Sequence, residues 1–335
     1  MRLILLLFFG LNSVVTFSQI VETIIYQEGE IHARGIEYAK NSLYLACNNG
    51  MLYRYDLNSK KTYILNPAEE APELRDVAHN KNHVLTMQSG KEGLVIWTDQ
   101  FGKLTSSCYL KNEKGQDLKE VFWDGITIEN KLGFLMGDPI DGFFTLFYSS
   151  NAGKDWKPCS GKIKAFDGEA GFAASGSTVQ ILDGIFYFVS GGLKSRIHFS
   201  RNKGKTWESI EIPFGSKESA GPFSLAIKDT SNMLVVGGDY EKANSTENNC
   251  FITNDGGKTW KSSFSPPNGY RSCVIFTNGV YYACGTNGMD YSLDNGLNWQ
   301  KLNDLNTFSM AFDEKFIFAT STQGKVLKIK KIQKL

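Results

Sequence analysis

The chain has little charge of either sign to spare. Thirty-six basic residues against 35 acidic leave a formal charge of +1, and no cluster of Lys or Arg interleaves with aromatics, which argues against nucleic acid as a partner. Histidine is scarce, with four residues at 32, 79, 83 and 198, and the six cysteines form no C-x-x-C pair. Neither set has the spacing of a metal site or a thiol redox pair, so no metal is expected. No G-x-G-x-x-G joins a strand to a helix and no haem attachment pair exists, so no cofactor is expected. Helical periodicity is almost absent. Beyond the N-terminus no stretch is long and apolar enough to span a membrane.

The N-terminus itself reads MRLILLLFFGLNSVVTFSQ: Arg2, an apolar run from Leu3 to Leu11, then Thr16 and Ser18 as small residues before Gln19. That pattern predicts a secretory signal peptide over 1–18 and export of the mature chain, 19–335, to the periplasm or the medium. The first cysteine is Cys47, too distant for a lipid anchor at the cleavage point. Cys273 and Cys284 flank a two-residue turn, Asn278-Gly279, and so stand opposite each other on a hydrogen-bonded pair, where Cα atoms are farther apart. A disulfide is not expected there, and all six cysteines read as small buried hydrophobes.

What is present is a repeat. SRNKGKTW (200–207) returns as TNDGGKTW (253–260), SLDNGLNW (292–299) and, more loosely, SSNAGKDW (149–156). An apolar run precedes each copy and reads as a strand. The polar centre reads as a tight turn in which Asn202, Asp255 or Asp294 accepts hydrogen bonds from the turn's own N–H groups while Gly204, Gly257 or Gly296 supplies positive φ. Ser200, Thr253 and Ser292 open these turns. Trp207, Trp260 and Trp299, like Trp156, then start a returning strand as core residues. A motif recurring at tens of residues signals a repeat architecture.

Three short apolar runs and a fourth after each turn make the four-stranded blade of a β-propeller. Seven units can be cut, at 34–66, 75–110, about 120–160, 168–213, 219–266, 269–302 and from 307 onward. The last is one strand short, and IVETIIYQ (20–27) belongs to no unit. An all-β, seven-bladed propeller closed by the N-terminal strand joining the last blade, in a single domain over 19–335, is therefore expected.

The S-x-D-x-G-x-T-W frame resembles the Asp-box, or BNR, repeat of sialidases. MGDPIDG (136–142), GEAGFAASG (168–176), SAGPFSLA (219–226), VGGDY (236–240), GYRS (269–272) and GTNGMDYS (285–292) resemble a bacterial exported group often called oxidoreductases or BNR-repeat glycosyl hydrolases. That group is related to the photosystem II stability and assembly factor family. The resemblance implies a seven-bladed propeller and an assembly-factor-like role. Nothing in the residues supports redox chemistry.

Aligning the blades puts Arg34, Arg75, Asp124, Phe223, Arg271 and Phe308 at the start of successive innermost strands. Three of the chain's seven arginines fall there. Loops expected at the same mouth bring Asp138, Asp141, Glu169, Asp239 and Tyr240, with Arg196 from blade four. The fork of Arg34, Arg75, Arg196 or Arg271 suits a carboxylate, sulfate or phosphate, with Asp124 beside them, and Asp138, Glu169, Asp239 or Tyr240 could supply catalysis. Arg–Asp pairs that merely satisfy each other would fit as well. Two functions follow: a non-catalytic module binding an envelope protein or an anionic ligand such as an acidic glycan, or a sialidase-like hydrolase or lyase of an acidic glycan. Against the second, no Arg-x-Pro exists, and sialidases typically have six blades.

Overall fold

The computed structural model describes residues 20–66, 73–81, 83–90, 92–103 and 105–333; the expected signal peptide, 1–18, lies outside the described residues. Among the described residues one 3-10 turn, Tyr240–Lys242, is the sole helix, and no helix is long and apolar enough to cross a membrane.

The strands form seven antiparallel sheets arranged as a seven-bladed propeller. Blade one runs Ala33–Ala39, Ser42–Cys47, Leu52–Asp56 and Lys61–Asn66, each strand pairing with the next. In blade seven, Thr307–Phe312, Phe316–Ser321 and Lys325–Lys330 are completed by Ile20–Ile25, which pairs antiparallel with Lys325–Lys330 and sets Thr23 opposite Leu327. The first and last described strands thus share one sheet.

Each blade is covered on both faces, so its middle strands are apolar without alternation: Ser42–Cys47 and Val280–Gly285 are buried throughout. A separate apolar cluster fills each interface. Phe134, Phe186 and Phe188 join blades three and four; Leu43, Tyr53 and Phe318 join one and seven.

In the repeated turn the hydroxyl accepts from the glycine N–H: Gly204 to Ser200 at 2.8 Å, Gly257 to Thr253 and Gly296 to Ser292 at 2.9 Å. Asn202, Asp255 and Asp294 each accept at 2.9 Å from the N–H four residues on. The glycines sit at φ of 75°, 87° and 85°, where a Cβ is strained. Trp207, Trp260 and Trp299 then pack into the interfaces between blades. These turns join third strands to fourth, at the end of each blade opposite the start of its innermost strand.

All six cysteines are free. Five are buried as expected, but Cys108 is exposed. It closes Thr105–Cys108, the outermost strand of blade two, where no further strand covers it.

Candidate functional site

Innermost strands in five blades slip register at the same place, leaving Arg34, Arg75, Asp124, Phe223 and the pair Phe308–Ser309 without a partner across the sheet. A bulge re-aims its extra residue and tightens local twist. Five of the six aligned positions therefore share a backbone cause. The sixth, Arg271, stands just before the blade-six strand Cys273–Thr277.

Blade four breaks the pattern. Its innermost strand is split into Glu169–Ala170 and Val179–Leu182, and residues 171–178 between them cross the central channel. Ser309 of blade seven donates to Ser175 O at 2.9 Å, Leu225 N of blade five to Ser177 O at 3.0 Å, and Arg75 of blade two to Ala173 O at 3.4 Å. Ser177 lies 2.6 Å from Ser224 and donates to Cys273 Sγ of blade six at 3.6 Å. At Gly176, φ 75°, a Cβ would run into the Asp76 carboxylate. The channel is plugged by its own chain, and the plug makes the floor of the mouth.

On that floor Phe172 stacks on Phe223 at 3.9 Å, and Phe223 meets Tyr270 edge-on at 4.9 Å and Tyr240 at 6.2 Å. Arg34 lies over Phe308 at 4.7 Å, with His32 against the same ring at 5.0 Å, and Arg75 lies over Phe122. Burial, then the positive charges of Arg34 and Arg75, push His32 down to about 4, so it is neutral at pH 7. Burial also lowers Arg34.

The arginines differ in what holds them. Arg75 pairs with Glu73 at 2.6 Å. Arg196 grips Glu169 through Nε at 2.7 Å and Nη2 at 2.6 Å. Arg271 is fully buried and bound to Asp290, with Nε to Oδ2 at 2.7 Å. Arg34 alone of these four makes no hydrogen bond or ion pair among the described residues; its Nε is buried without a partner.

The carboxylates also separate. Asp124 is fully buried with both oxygens unpartnered, beneath Gly171, and burial followed by Asp138 raises it well above the carboxylate range. Asp138 accepts from Gly171 N at 2.9 Å. Asp239 pairs with Lys217 at 2.8 Å, caps the Tyr240–Lys242 turn and leaves Tyr240 51% exposed. Asp141, at φ 52°, and Gly142 make the hairpin turn after Leu132–Ile140. Asp290, Glu73, His32, Phe122 and Tyr270 carry no spacing signal that singles them out as site residues in the sequence.

Buried Asp76 sets a pH dependence. Burial raises it to about 7, against the pull of hydrogen bonds from Ile126 and Val77 N–H. A raised acid binds its proton in the folded state first, so stability falls as pH climbs from about 4 toward 7. His32, His79 and His198, each held down to about 4 by burial, pull the other way, so the Asp76 share is read by difference: the melting temperature of Asp76→Asn should gain on wild type as pH climbs from 5 to 7.5. An unchanged slope in the variant would assign the dependence elsewhere.

Comparison with known proteins places this geometry. The Sortilin-Vps10 family model (sortilin, neurotensin receptor 3) matches residues 144–278. No curated protein matches the sequence. Among solved structures, YCF48 bound to a D1 peptide superposes with a TM-score of 0.65 at 13% identity, covering 92% of this chain and 96% of that one. The WD40 propeller domain of Doa1 gives 0.68 at 10% identity, covering 94% and 97%. A GH74 xyloglucanase from Xanthomonas campestris gives 0.64 at 12% identity, covering 91% of this chain and 53% of that one. What they share is the fold.

Proposed function

We propose that this chain is an exported propeller whose plugged mouth binds a carboxylate-bearing segment of an envelope protein. The observation that carries the reading is Arg34, a half-buried guanidinium with no ion pair or hydrogen bond among the described residues, seated beside Phe308 and His32. A partly desolvated, preorganised fork favours a planar anion, and the aromatic floor offers apolar area to the rest of the segment. The similar YCF48 structure holds a D1 peptide, which supports a peptide over a small anion. Export rests on the N-terminal pattern alone, and the repeated turns support kinship with Asp-box propellers.

The hydrolase alternative finds less support. Its acid-sugar site asks for three available arginines, and Arg75 and Arg271 are engaged by Glu73 and Asp290. The mouth is better suited to binding than to catalysis.

An array of peptides with free or amidated C-termini, together with uronic acid oligosaccharides, tests this. Wild type should prefer free carboxylates among peptides. Arg34→Ala should weaken that binding about 10- to 100-fold, the worth of one charged hydrogen-bonding group. Equal binding by wild type and Arg34→Ala would sink the reading; a response confined to the oligosaccharides would favour the glycan ligand.

A further inference from the structure

A groove of about 740 Å³ runs along the flank of blade four, between residues 161–167 arriving from blade three and the outermost strand Glu208–Glu211. Lys162, Lys164, Lys205 and Arg196 line it, with Phe166 and Trp207 as apolar surface and Asp167 as the one acid. Ser209 also lines it and is exposed.

Behind Ser209 stands a buried relay. Ser209 Oγ lies 2.7 Å from Nδ1 of His198, which is fully buried and stacked on Phe188. His198 Nε2 lies 2.9 Å from Ser190 Oγ, and Ser190 donates to Glu169 Oε1 at 2.5 Å. Burial works against the Glu169 charge, but the His198 ring beside it and hydrogen bonds from Arg196, Phe166 N–H and Ser190 hold it down to about 2. Glu169 is therefore an acceptor only, and the Ser190 proton must point to it. Ser190 Oγ then accepts from His198 Nε2–H, which leaves Nδ1 as a lone pair aimed at Ser209, whose hydroxyl donates. The hydrogen-bond chain fixes the tautomer that a general base needs, and it does so under a solvent-facing hydroxyl.

We propose that Ser209 is the nucleophile of an ester-cleaving site in this groove, separate from the mouth, and that its substrates carry a negatively charged group. Ser209 Oγ bonds to the ester carbonyl carbon as its proton passes to His198 Nδ1, and the carbonyl π pair moves onto oxygen, in the field of the lining cations. Collapse breaks the bond to the leaving alkoxide oxygen, which takes the proton from Nδ1. Water adds to the acyl-serine, giving its proton to Nδ1; the bond to Oγ breaks, Oγ recovers that proton, and a carboxylic acid leaves. The sum is ester plus water to acid plus alcohol. Ser190 and Glu169 are positioning residues, since they act through His198. The imidazolium formed in transit is buried, and Glu169 Oε1, 3.7 Å from Nε2, offsets its charge.

The test uses the mature chain with mono-4-nitrophenyl succinate, neutral 4-nitrophenyl acetate and a fluorophosphonate label mapped by mass spectrometry. The label should attach at Ser209, and the succinate ester should be cleaved faster than the acetate. Ser209→Ala, at an exposed position, should melt like wild type and lose about 100-fold in rate. Burial pushes His198 down to about 4, so activity should rise with pH through about 4 and stay flat to pH 8. Ser190→Ala frees the tautomer and should both slow turnover and move that lower limb, while Ser190→Thr restores both. Turnover retained in folded Ser209→Ala, labelling at another residue, or a Ser190→Ala profile identical to wild type would overturn the assignment.

Discussion

Arg271→Met should lower the free energy of unfolding by about 3–5 kcal/mol, the cost of leaving a buried charge without its partner. Asp290 is fully buried, and its oxygens accept from Arg271 Nε at 2.7 Å, Asn268 N–H at 3.1 Å and Asn268 Nδ2 at 2.7 Å. Removing the guanidinium leaves the carboxylate two neutral donors in a site without water contact. The effect should reach the mouth as well. Arg271 Nη1 donates to Tyr270 O at 2.8 Å and to Asn287 Oδ1 at 2.5 Å, so the ion pair pins the loop that presents Tyr270 to Phe223. Urea unfolding measures the loss, and Arg271→Met/Asp290→Leu should recover part of it, because the penalty lies in the orphaned charge. A single variant within about 1 kcal/mol of wild type would mean that water reaches Asp290.

The propeller was legible because every blade is built from short apolar strands and four of the seven carry a hydroxyl-Asx-Gly turn and a Trp that begins the return. The missing strand of the last blade and the orphan IVETIIYQ could be matched by counting. The site was only half legible. Aligning innermost strands located Arg34, Arg75 and Asp124 because a shared bulge governs them, but spacing says nothing of partners. Asp290, which removes Arg271 from solvent, lies 19 residues downstream in another strand. The plug was least visible, since GEAGFAASG has no periodicity of its own and takes its shape from Asp76, Ser224, Cys273 and Ser309 on four other blades. Arg196, expected at the mouth, is held by Glu169 and lines the blade-four groove.

A chain that begins at Gln27 should lose the closure of the ring. Ile20–Ile25 is mostly exposed, yet Ile24 and Tyr26 are 2% and 3% exposed and pack into the cluster that joins blades one and seven. Burying two such side chains is worth about 1.5–3 kcal/mol each. The backbone adds Tyr26 N–H to Gly324 O at 2.9 Å and Thr62 Oγ1 to Tyr26 O at 2.7 Å, at about 0.5–1.5 kcal/mol apiece. Together these come to about 4–9 kcal/mol, comparable with the whole stability of a marginal domain. Truncation also bares the edge of Lys325–Lys330, KVLKIK, to pairing with other chains. The truncated chain should therefore melt about 6–14 °C below one that begins at Gln19, by the rough scaling of melting point with stability, and should self-associate in a concentration-dependent way. A synthetic IVETIIYQ peptide added in trans should reverse both effects, since it restores the partner of Lys325–Lys330 without restoring the covalent link. A scrambled peptide of the same composition should not. If the truncated chain stays monomeric and melts within a few degrees of the longer one, three strands suffice for blade seven and the terminal strand is dispensable to closure.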